Sequence, residues 1–405
     1  MKLTTLLRTI RLRDFLSFGP SSETFSLGNL NVIIGANGSG KSNLIEALSI
    51  IQAAPLDLPK PIREGGGIME WLWKGHDAKG IAEIELTAEY PLGKKPLRYS
   101  LSFTQSGQRF DLVDESIEDE SKIDSKEDDV NFYYRYRHGR PVLNTRSRIE
   151  GASQQENDGY LRTLKKESVS SEQSILAQKK GTEIFPEITW LGEQFAAMKI
   201  YREWSFSRNI PPRKPQQVDL PEDFLLEDAS NLALVLNDIL HHGLRSTIIE
   251  KLNFFYEGID DISTKVHGGT IQVYVHEKGM ANPIPATRLS DGTLRYLCLI
   301  CVLCHPKPPP LICIEEPELG IHTDILPKIG EMLIEASHKT QLIVTTHSDA
   351  LVSSLSDIPD AIVVCEREID GTHLSRLDPA ILRQWLEKYK LGDLWRMGEI
   401  GGTRW

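Results

Sequence analysis

Residues 35–42, GANGSGKS, follow the G-x-x-x-x-G-K-S spacing of a phosphate-binding loop. Glycines allow backbone amides to turn toward a phosphate chain, Lys41 adds a positive charge for the outer phosphates, and the Ser42 hydroxyl is a ligand for Mg²⁺. An apolar strand precedes this loop and an amphipathic helix follows it, which is the context that the motif needs. We therefore predict a nucleotide-binding loop. Its expected nucleotide contacts are Asn37, Gly38, Gly40, Lys41, Ser42 and Asn43.

Two adjacent carboxylates, Glu315 and Glu316, end the apolar run in PLICIEEPELGIH. Like charges side by side at the edge of a core are costly unless a cation compensates them. A strand that simply surfaces into a solvated turn is the alternative interpretation. Because a phosphate loop needs carboxylates at the end of a neighbouring strand, we predict that the cation is Mg²⁺, held by Ser42 and Glu315. Glu316 is then expected to orient the attacking water.

Two further segments have residues suited to phosphate chemistry. In LSDGT, the residues Ser290, Asp291 and Gly292 stand at the start of an apolar helix, whose positive end favours anions. In QLIVTTHS, His347 follows another buried strand. Each segment is weak evidence alone, since a histidine at a strand end is more often structural. Their order in the chain, after the phosphate loop and on both sides of the acidic strand, makes the combination specific.

Taken together, these motifs resemble those of ABC-type ATPases of the RecF/SMC class. The resemblance is stronger to the stand-alone bacterial "predicted ATPase" (AAA_21-like) branch, which is related to the overcoming-lysogenisation-defect ATPases. The blocks that carry it are GANGSGKSN, LSDGTLRYL, ICIEEPELGIH, IVTTHS and LGDLWRMGEIGGTRW. It implies that Ser290 and Gly292 close on the γ-phosphate of an ATP held by the other subunit's Lys41, with two ATPs between head-to-tail subunits. It also implies that His347 contacts this phosphate during catalysis.

The sequence departs from the family pattern at three positions. Glu315 stands where the Walker B position usually has aspartate, and Asp291 and Thr293 change the common LSGGQ sequence. A glutamine matching the family's Q-loop cannot be assigned, and neither Gln105 nor His76 has a clear role. We therefore expect hydrolysis to be slow.

The chain between Lys41 and Ser290 is much longer than the equivalent gap in a transporter's ATP-binding subunit, which excludes that class by analogy. We predict an α/β fold, an ABC-type P-loop ATPase head with a mixed sheet and flanking helices, formed by residues 1–115 and 266–405. An α+β insertion, residues 116–265, splits the head and contains an acidic loop, a hairpin and a helical segment. Because no heptad repeat is sustained, a long coiled coil is not expected.

The net charge of −11 is concentrated in residues 111–130, which hold ten acids and two lysines and are expected to be a solvated loop. The negative net charge of the chain therefore does not exclude DNA binding by residues outside this segment. The basic, aromatic segment 131–137, NFYYRYR, is suited either to nucleic acid or to a half-buried hairpin with a solvated arginine face. Arginines near prolines, including Arg202, Arg208 and Arg213, indicate a linker or an edge that contacts a partner.

The chain has no apolar run of membrane-spanning length, and Arg8, Arg11 and Arg13 interrupt its first segment, so neither a signal peptide nor a membrane contact is predicted. Its five cysteines do not resemble a disulfide framework, and we expect a cytoplasmic protein.

The expected partners are a second copy of the chain, or a higher oligomer through the ATP sandwich, and a separate effector protein. By resemblance, that effector is a nuclease or toxin that the ATPase licenses in an antiphage defence or DNA-maintenance system. The residues after His347 are too few for the metal-binding domain that related nucleases append, so no nuclease is expected in the chain itself. The alternatives are a RecF-like DNA-binding repair clamp and a nucleotide-dependent scaffold with slow turnover.

Overall fold

The computed structural model describes residues 5–121, 130–137, 140–145, 153–154, 160–163, 170, 172–202, 204 and 209–402. The strands in these residues are, in chain order, β1 Leu7–Arg13, β2 Phe25–Ser26, β3 Leu30–Ile34, β4 Ile81–Ala88, β5 Leu97–Ser106, β6 Arg109–Asp119, β7 Phe132–Arg137, β8 Arg140–Thr145, β9 Ser153–Gln154, β10 Tyr160–Thr163, β11 Lys199–Tyr201, β12 Gln216–Gln217, β13 Ile259–His267, β14 Thr270–Glu277, β15 Ile284–Pro285, β16 Leu311–Glu315, β17 Gln341–Thr345, β18 Ile362–Glu368 and β19 Gly371–Arg376. The helices are α1 Lys41–Ala53, α2 Lys60–Glu64, α3 Ile68–Trp71, α4 Ile175–Gln178, α5 Pro186–Ala197, α6 Leu232–Ile239, α7 Arg245–Phe255, α8 Asp291–Leu303, α9 Leu326–Ser337, α10 Asp349–Ser353, α11 Pro379–Leu386 and α12 Leu391–Arg396.

The helices are short. The longest in the described residues, α1 and α8, have 13 residues each. The described part of the chain therefore contains no long coiled coil, and none of its helices has the length and apolar character needed to cross a membrane.

A six-stranded sheet in the order β11-β16-β17-β3-β18-β19 positions the motifs. Its first five strands are parallel, and β19 runs antiparallel to β18. All residues of β3, LNVII, are buried, because a central parallel strand is covered on both faces. The carboxyl ends of parallel strands meet at one edge, so the segments that follow β3, β16 and β17 come together there.

Two hydrophobic cores lie on opposite faces of this sheet. Val32 and Ile34 of β3 belong to one core together with α8, whereas Ile33 belongs to the other core together with α1. This division follows from the alternation of side chains along a strand. The helix after the phosphate loop and the helix after LSDGT therefore pack on opposite faces of the six-stranded sheet.

A nine-stranded antiparallel sheet, β2-β1-β4-β5-β6-β7-β8-β10-β9, covers the α1 side. The strands predicted in residues 81–113 are confirmed as β4, β5 and the start of β6. The predicted solvated loop at 111–130 is wrong for its first part, because β6 continues to Asp119 and buries Leu112, Glu115 and Ile117. Residues 122–129 of that loop lie outside the described residues. The predicted hairpin is present as β7 and β8, and residues 138–139 between these strands also lie outside the described residues.

The predicted division into head and insertion stays a prediction. The boundary between residues 115 and 116 falls inside β6, and the strands from β7 to β10 continue the sheet that β6 belongs to. Further along, β12, β13, β14 and β15 form a small antiparallel sheet that packs in the α8 core with α6 and α7. The predicted helical segment is present as α6, in which Leu232, Val235, Leu236 and Ile239 are fully buried.

Candidate nucleotide-binding and hydrolysis site

The phosphate loop connects β3 to α1, and its glycines are required by close packing. A Cβ on Gly35 would overlap the carbonyl oxygen of Cys365 on β18. Gly40 has φ +112° and would place a Cβ against the hydroxyls of Thr372 and Ser17, so both its backbone conformation and its surroundings favour glycine. By contrast, a Cβ on Gly38 would meet nothing within 4 Å among the described residues, so the centre of the loop faces open space.

Lys41 lies inside this loop. Its ammonium group donates hydrogen bonds to the carbonyl oxygens of Gly35 at 2.8 Å and Ala36 at 3.0 Å, and the residue is 6% exposed. Burial lowers the pKa of Lys41, while nearby carboxylates, Glu316 and Glu315 among them, act in the opposite direction. The ammonium is therefore held at the loop by carbonyl oxygens that phosphate oxygens would replace.

Ser42 and Glu315 lie in direct contact. The Ser42 hydroxyl, at the start of α1, donates a short hydrogen bond to the Glu315 carboxylate, at the end of β16. One strand, β17, separates β16 from β3 in the sheet, so the contact joins two motifs far apart in the sequence. A hydroxyl and a carboxylate are the oxygen ligands that Mg²⁺ prefers. Together with Lys41 in its glycine loop, these residues fit a magnesium–nucleotide complex.

Glu316 and His347 also lie together. The Glu316 carboxylate is 3.5 Å from Nε2 of His347, and the Glu316 N–H donates to the carbonyl oxygen of Thr345 at 3.0 Å. Glu316 has φ +46°, a left-handed conformation that is uncommon for a residue with a side chain. The strained turn directs the second glutamate away from Glu315, so that adjacent carboxylates contact different partners, Ser42 and His347.

A third glutamate, Glu318, holds the segment that carries His347. Its Oε1 accepts hydrogen bonds from the Thr346 hydroxyl at 2.6 Å and from the His347 N–H at 2.7 Å. Burial raises the pKa of Glu318, and its buried Oε2 has no hydrogen-bond partner among the described residues. Sequence reasoning assigned Glu318 no role, because the only signal was its place in the acidic cluster after β16.

Ser290 is the N-cap of α8, where its hydroxyl oxygen accepts the N–H of Thr293 at 3.0 Å. Asp291 forms an ion pair with Arg213, which also donates to the carbonyl oxygen of Leu289. Arg213 is buried against the chain's own LSDGT segment, so for this arginine the predicted linker or partner-contacting edge is wrong. The next residue, Gly292, is closely packed, since a Cβ there would lie 3.0 Å from the carbonyl oxygen of Gly320.

A cavity of about 550 Å³ adjoins the phosphate loop. Its lining includes Asn43, Ser17, Trp73, His76 and Asp370. Asn43 donates to the Ser17 hydroxyl at 2.7 Å, which connects the cavity wall to the first turn of α1. Of the residues considered for a Q-loop role, His76 lies at this cavity, whereas Gln105 bonds the Gly107 carbonyl at the β5–β6 turn.

Comparison with known proteins agrees with this architecture. The chain is 22% identical over 381 residues to the ATP/GTP phosphatase of Helicobacter pylori (strain ATCC 700392 / 26695), covering 92% of this chain and 91% of that protein. A shorter match, 30% identical over 101 residues, is to the chromosome partition protein Smc of Clostridium kluyveri (strain NBRC 12016). It covers 24% of this chain and 8% of the Smc protein.

The fold is that of an Smc head. The crystal structure of the SmcHead bound to the C-winged helix domain of ScpA matches with a TM-score of 0.58 at 12% identity, covering 93% of this chain and 99% of that one. The predicted α/β fold class is confirmed by this match. A family model, AAA_21, described as "AAA domain, putative AbiEii toxin, Type IV TA system", matches residues 30–353. The chain therefore belongs to the AAA_21 family and has a P-loop ATPase domain with the fold of an Smc head.

Proposed function

We propose that this protein hydrolyses ATP in a Mg²⁺-dependent reaction. The observation that carries the proposal is the contact between Ser42 and Glu315, with the Glu316–His347 pair directly beside it. Mg²⁺ held by Ser42 and Glu315 would neutralise the charge on the terminal phosphates. Lys41 binds phosphate oxygens in exchange for the loop carbonyls, and the cavity beside Asn43 is open for the rest of the nucleotide.

The remaining residues act on the attacking water and the γ-phosphate. The Glu316 carboxylate accepts the proton of the water as it attacks, and His347 binds a γ-phosphate oxygen as negative charge develops there. Glu318 fixes the backbone of His347 while this happens, through the hydrogen bond to its N–H. We expect turnover to be slow, since Glu315, Asp291 and Thr293 depart from the family pattern and no Q-loop glutamine is assigned.

We also propose that two copies close around two ATPs, with Ser290 and Gly292 of each copy acting on the nucleotide of the other. The packing of α1 and α8 on opposite faces of the six-stranded sheet supports this arrangement. The ion pair between Arg213 and Asp291 reduces the repulsion that Asp291 would exert on a phosphate.

The biological role that we favour is the licensing of a separate effector, a nuclease or toxin, in a defence or DNA-maintenance system. The AAA_21 description, which refers to a toxin and a Type IV TA system, supports a toxin-linked role. A RecF-like DNA clamp has less support from the basic strand β7. Arg135 is paired with Glu118 at 3.0 Å and lies over the Phe132 ring, so it is already engaged within the chain, although Glu118 also pairs with Arg98.

Substitution of the paired glutamates tests the hydrolysis proposal. Glu316→Gln keeps the shape of the side chain but removes the base, so turnover should fall at least about 100-fold while ATP binding is retained. Glu315→Gln should weaken Mg²⁺-dependent binding and turnover together. Glu193→Gln, at an exposed position on α5, serves as the control. Calorimetric nucleotide binding and phosphate release are measured on all three variants. Unchanged hydrolysis in Glu316→Gln would refute the assignment of the base.

A further inference from the structure

The sequence block LGDLWRMGEIGG has no role in the proposed hydrolysis, yet it reaches the phosphate loop. Residues 391–402, here called the tie segment, comprise α12 and the turn that follows it. At the end of this segment, a Cβ on Gly402 would lie 3.3 Å from the Cα of Gly35 and 3.1 Å from Cγ1 of Val364. Gly402 has φ +69°, so both the backbone conformation and the lack of space favour glycine. The tie segment is therefore in contact with the first residue of the phosphate loop.

Two side chains hold Gly402 against the loop. The Glu366 carboxylate, on β18, accepts the N–H of Gly402 at 2.9 Å. The indole N–H of Trp395, on α12, donates to the carbonyl oxygen of Gly402 at 3.3 Å. Trp395 is buried between these elements. Since both backbone groups of Gly402 are bonded, its position relative to Gly35 is fixed.

The other part of the tie segment packs on the helix that follows His347. A Cβ on Gly392 of α12 would overlap the carbonyl oxygen of Asp349, the first residue of α10. Arg396 forms an ion pair with the Asp349 carboxylate at 3.2 Å. The Leu391 N–H also donates to the Ser356 hydroxyl at 3.0 Å. One short segment thus contacts both the phosphate loop and the segment that carries the catalytic histidine.

We propose that the tie segment sets the position of the phosphate loop relative to His347, with Glu366, Trp395 and Gly402 as positioning residues. The route to the chemistry is short, because Gly402 lies beside the Cα of Gly35, and the carbonyl oxygen of that same residue accepts a hydrogen bond from Lys41. A shift of Gly35 moves the group that holds the lysine. The effect on turnover rests on the proposed hydrolysis, whereas the effect on loop order requires no bound nucleotide.

Gly402→Ala tests this contact in the full-length protein. Gly107→Ala is the matched control, because Gly107 has φ +64° and a Cβ there would meet nothing within 4 Å. Hydrogen–deuterium exchange is followed without nucleotide. In Gly402→Ala we expect about tenfold faster exchange in residues 35–42 and 346–350, with no change in Gly107→Ala. Wild-type exchange in both segments of Gly402→Ala would overturn the proposal.

Glu366 offers a second test that leaves the backbone unstrained. Glu366→Ala removes the acceptor for the Gly402 N–H, whereas Glu366→Gln keeps a carbonyl oxygen there. We expect exchange in residues 35–42 and the Kd for ATP each to rise about fivefold in Glu366→Ala, as for the loss of one hydrogen bond, and both to stay near the wild-type values in Glu366→Gln. Identical exchange rates and Kd values in the two variants would contradict the proposed role of the tie segment. Absence of hydrolysis in the wild type would refute the proposed function but leave the exchange comparison valid.

Discussion

Glu318 holds the backbone of the proposed active site through hydrogen bonds to Thr346 and His347. Its two hydrogen bonds, to the Thr346 hydroxyl and to the His347 N–H, connect the turn after β16 to the turn after β17. These turns carry Glu316 and His347, whose side chains lie 3.5 Å apart. The geometry of the proposed catalytic pair therefore depends on a carboxylate that is itself buried.

Replacement of Glu318 should separate catalysis from binding. In Glu318→Ala, His347 loses its backbone anchor, and we expect the rate of hydrolysis to fall between about 10- and 100-fold, as misplaced catalytic groups do. Glu318→Gln keeps an acceptor for both donors and should lose much less. The measurement is kcat and KM for ATP in the two variants. A large rise in KM with unchanged kcat would instead assign Glu318 to nucleotide binding.

The functional residues that can be predicted from the sequence are those that belong to local motifs. Lys41 and Ser42 are recognised because the loop, the preceding strand and the following helix are contiguous in the chain. Arg213 is predicted in a linker or a partner-contacting edge, because its partner in the fold, Asp291, is 78 positions away and nothing in either segment indicates the pairing. Contacts such as that between Gly402 and Gly35 depend on tertiary packing and have no signal in the local sequence.

At the scale of elements, a buried carboxylate attaches α4 to the nine-stranded sheet. Glu115 of β6 is fully buried and accepts hydrogen bonds from the hydroxyls of Tyr99 and Ser174 and, at 2.9 Å, from the Ile175 N–H. Ser174 and Ile175 are the N-cap and first residue of α4. Burial raises the pKa of Glu115 to about 7, although these hydrogen bonds act in the opposite direction. The Glu115 carboxyl that attaches α4 to the sheet therefore ionises near neutral pH.

The sign of this shift gives a pH dependence. The pKa of Glu115 in the folded protein is raised above its usual value of 4.5. Its protonation therefore stabilises the fold fully at pH values below 4.5, and this contribution is lost as the pH rises through about 7. In Glu115→Gln, which can donate to the hydroxyls and accept from Ile175, we expect a smaller loss of thermal stability between pH 4.5 and 7. Melting temperatures of both proteins across this range provide the check. Parallel curves would mean that Glu115 does not titrate there.

The sequence predicts individual strands better than it predicts which strands pair with one another. The alternation in residues 81–113 identified strands, because side chains of a half-buried strand alternate between its faces. It could not indicate that β6 extends through Glu115 to Asp119, since acidic residues outweigh its apolar positions. Nor could it indicate that β7 joins the sheet of β1, because pairing between strands distant in sequence depends on the whole fold.

At the scale of the whole molecule, the arrangement of α1 and α8 on opposite faces of one sheet predicts an effect on assembly. Ser290→Arg should leave ATP binding by a single chain intact, because Lys41 and Ser42 are unaffected, and should block ATP-driven dimerisation. Light scattering with ATP, in the Glu316→Gln background that slows hydrolysis, measures this. Ser106→Arg, at an exposed position at the end of β5, is the control. Normal dimerisation of Ser290→Arg would contradict the sandwich.

The left-handed conformation of Glu316 has a consequence for thermal stability. A residue with a Cβ in this region costs about 1–2 kcal/mol relative to the right-handed region, and glycine avoids that cost. Elsewhere glycine is about 0.5–1 kcal/mol less stable than alanine within regular elements. We therefore expect the reverse order here, with Glu316→Gly unfolding at a higher temperature than Glu316→Ala, while neither hydrolyses ATP. The carboxylate that the proposed reaction needs occupies a position where glycine suits the backbone better, so thermal stability and turnover are expected to be opposed at this residue.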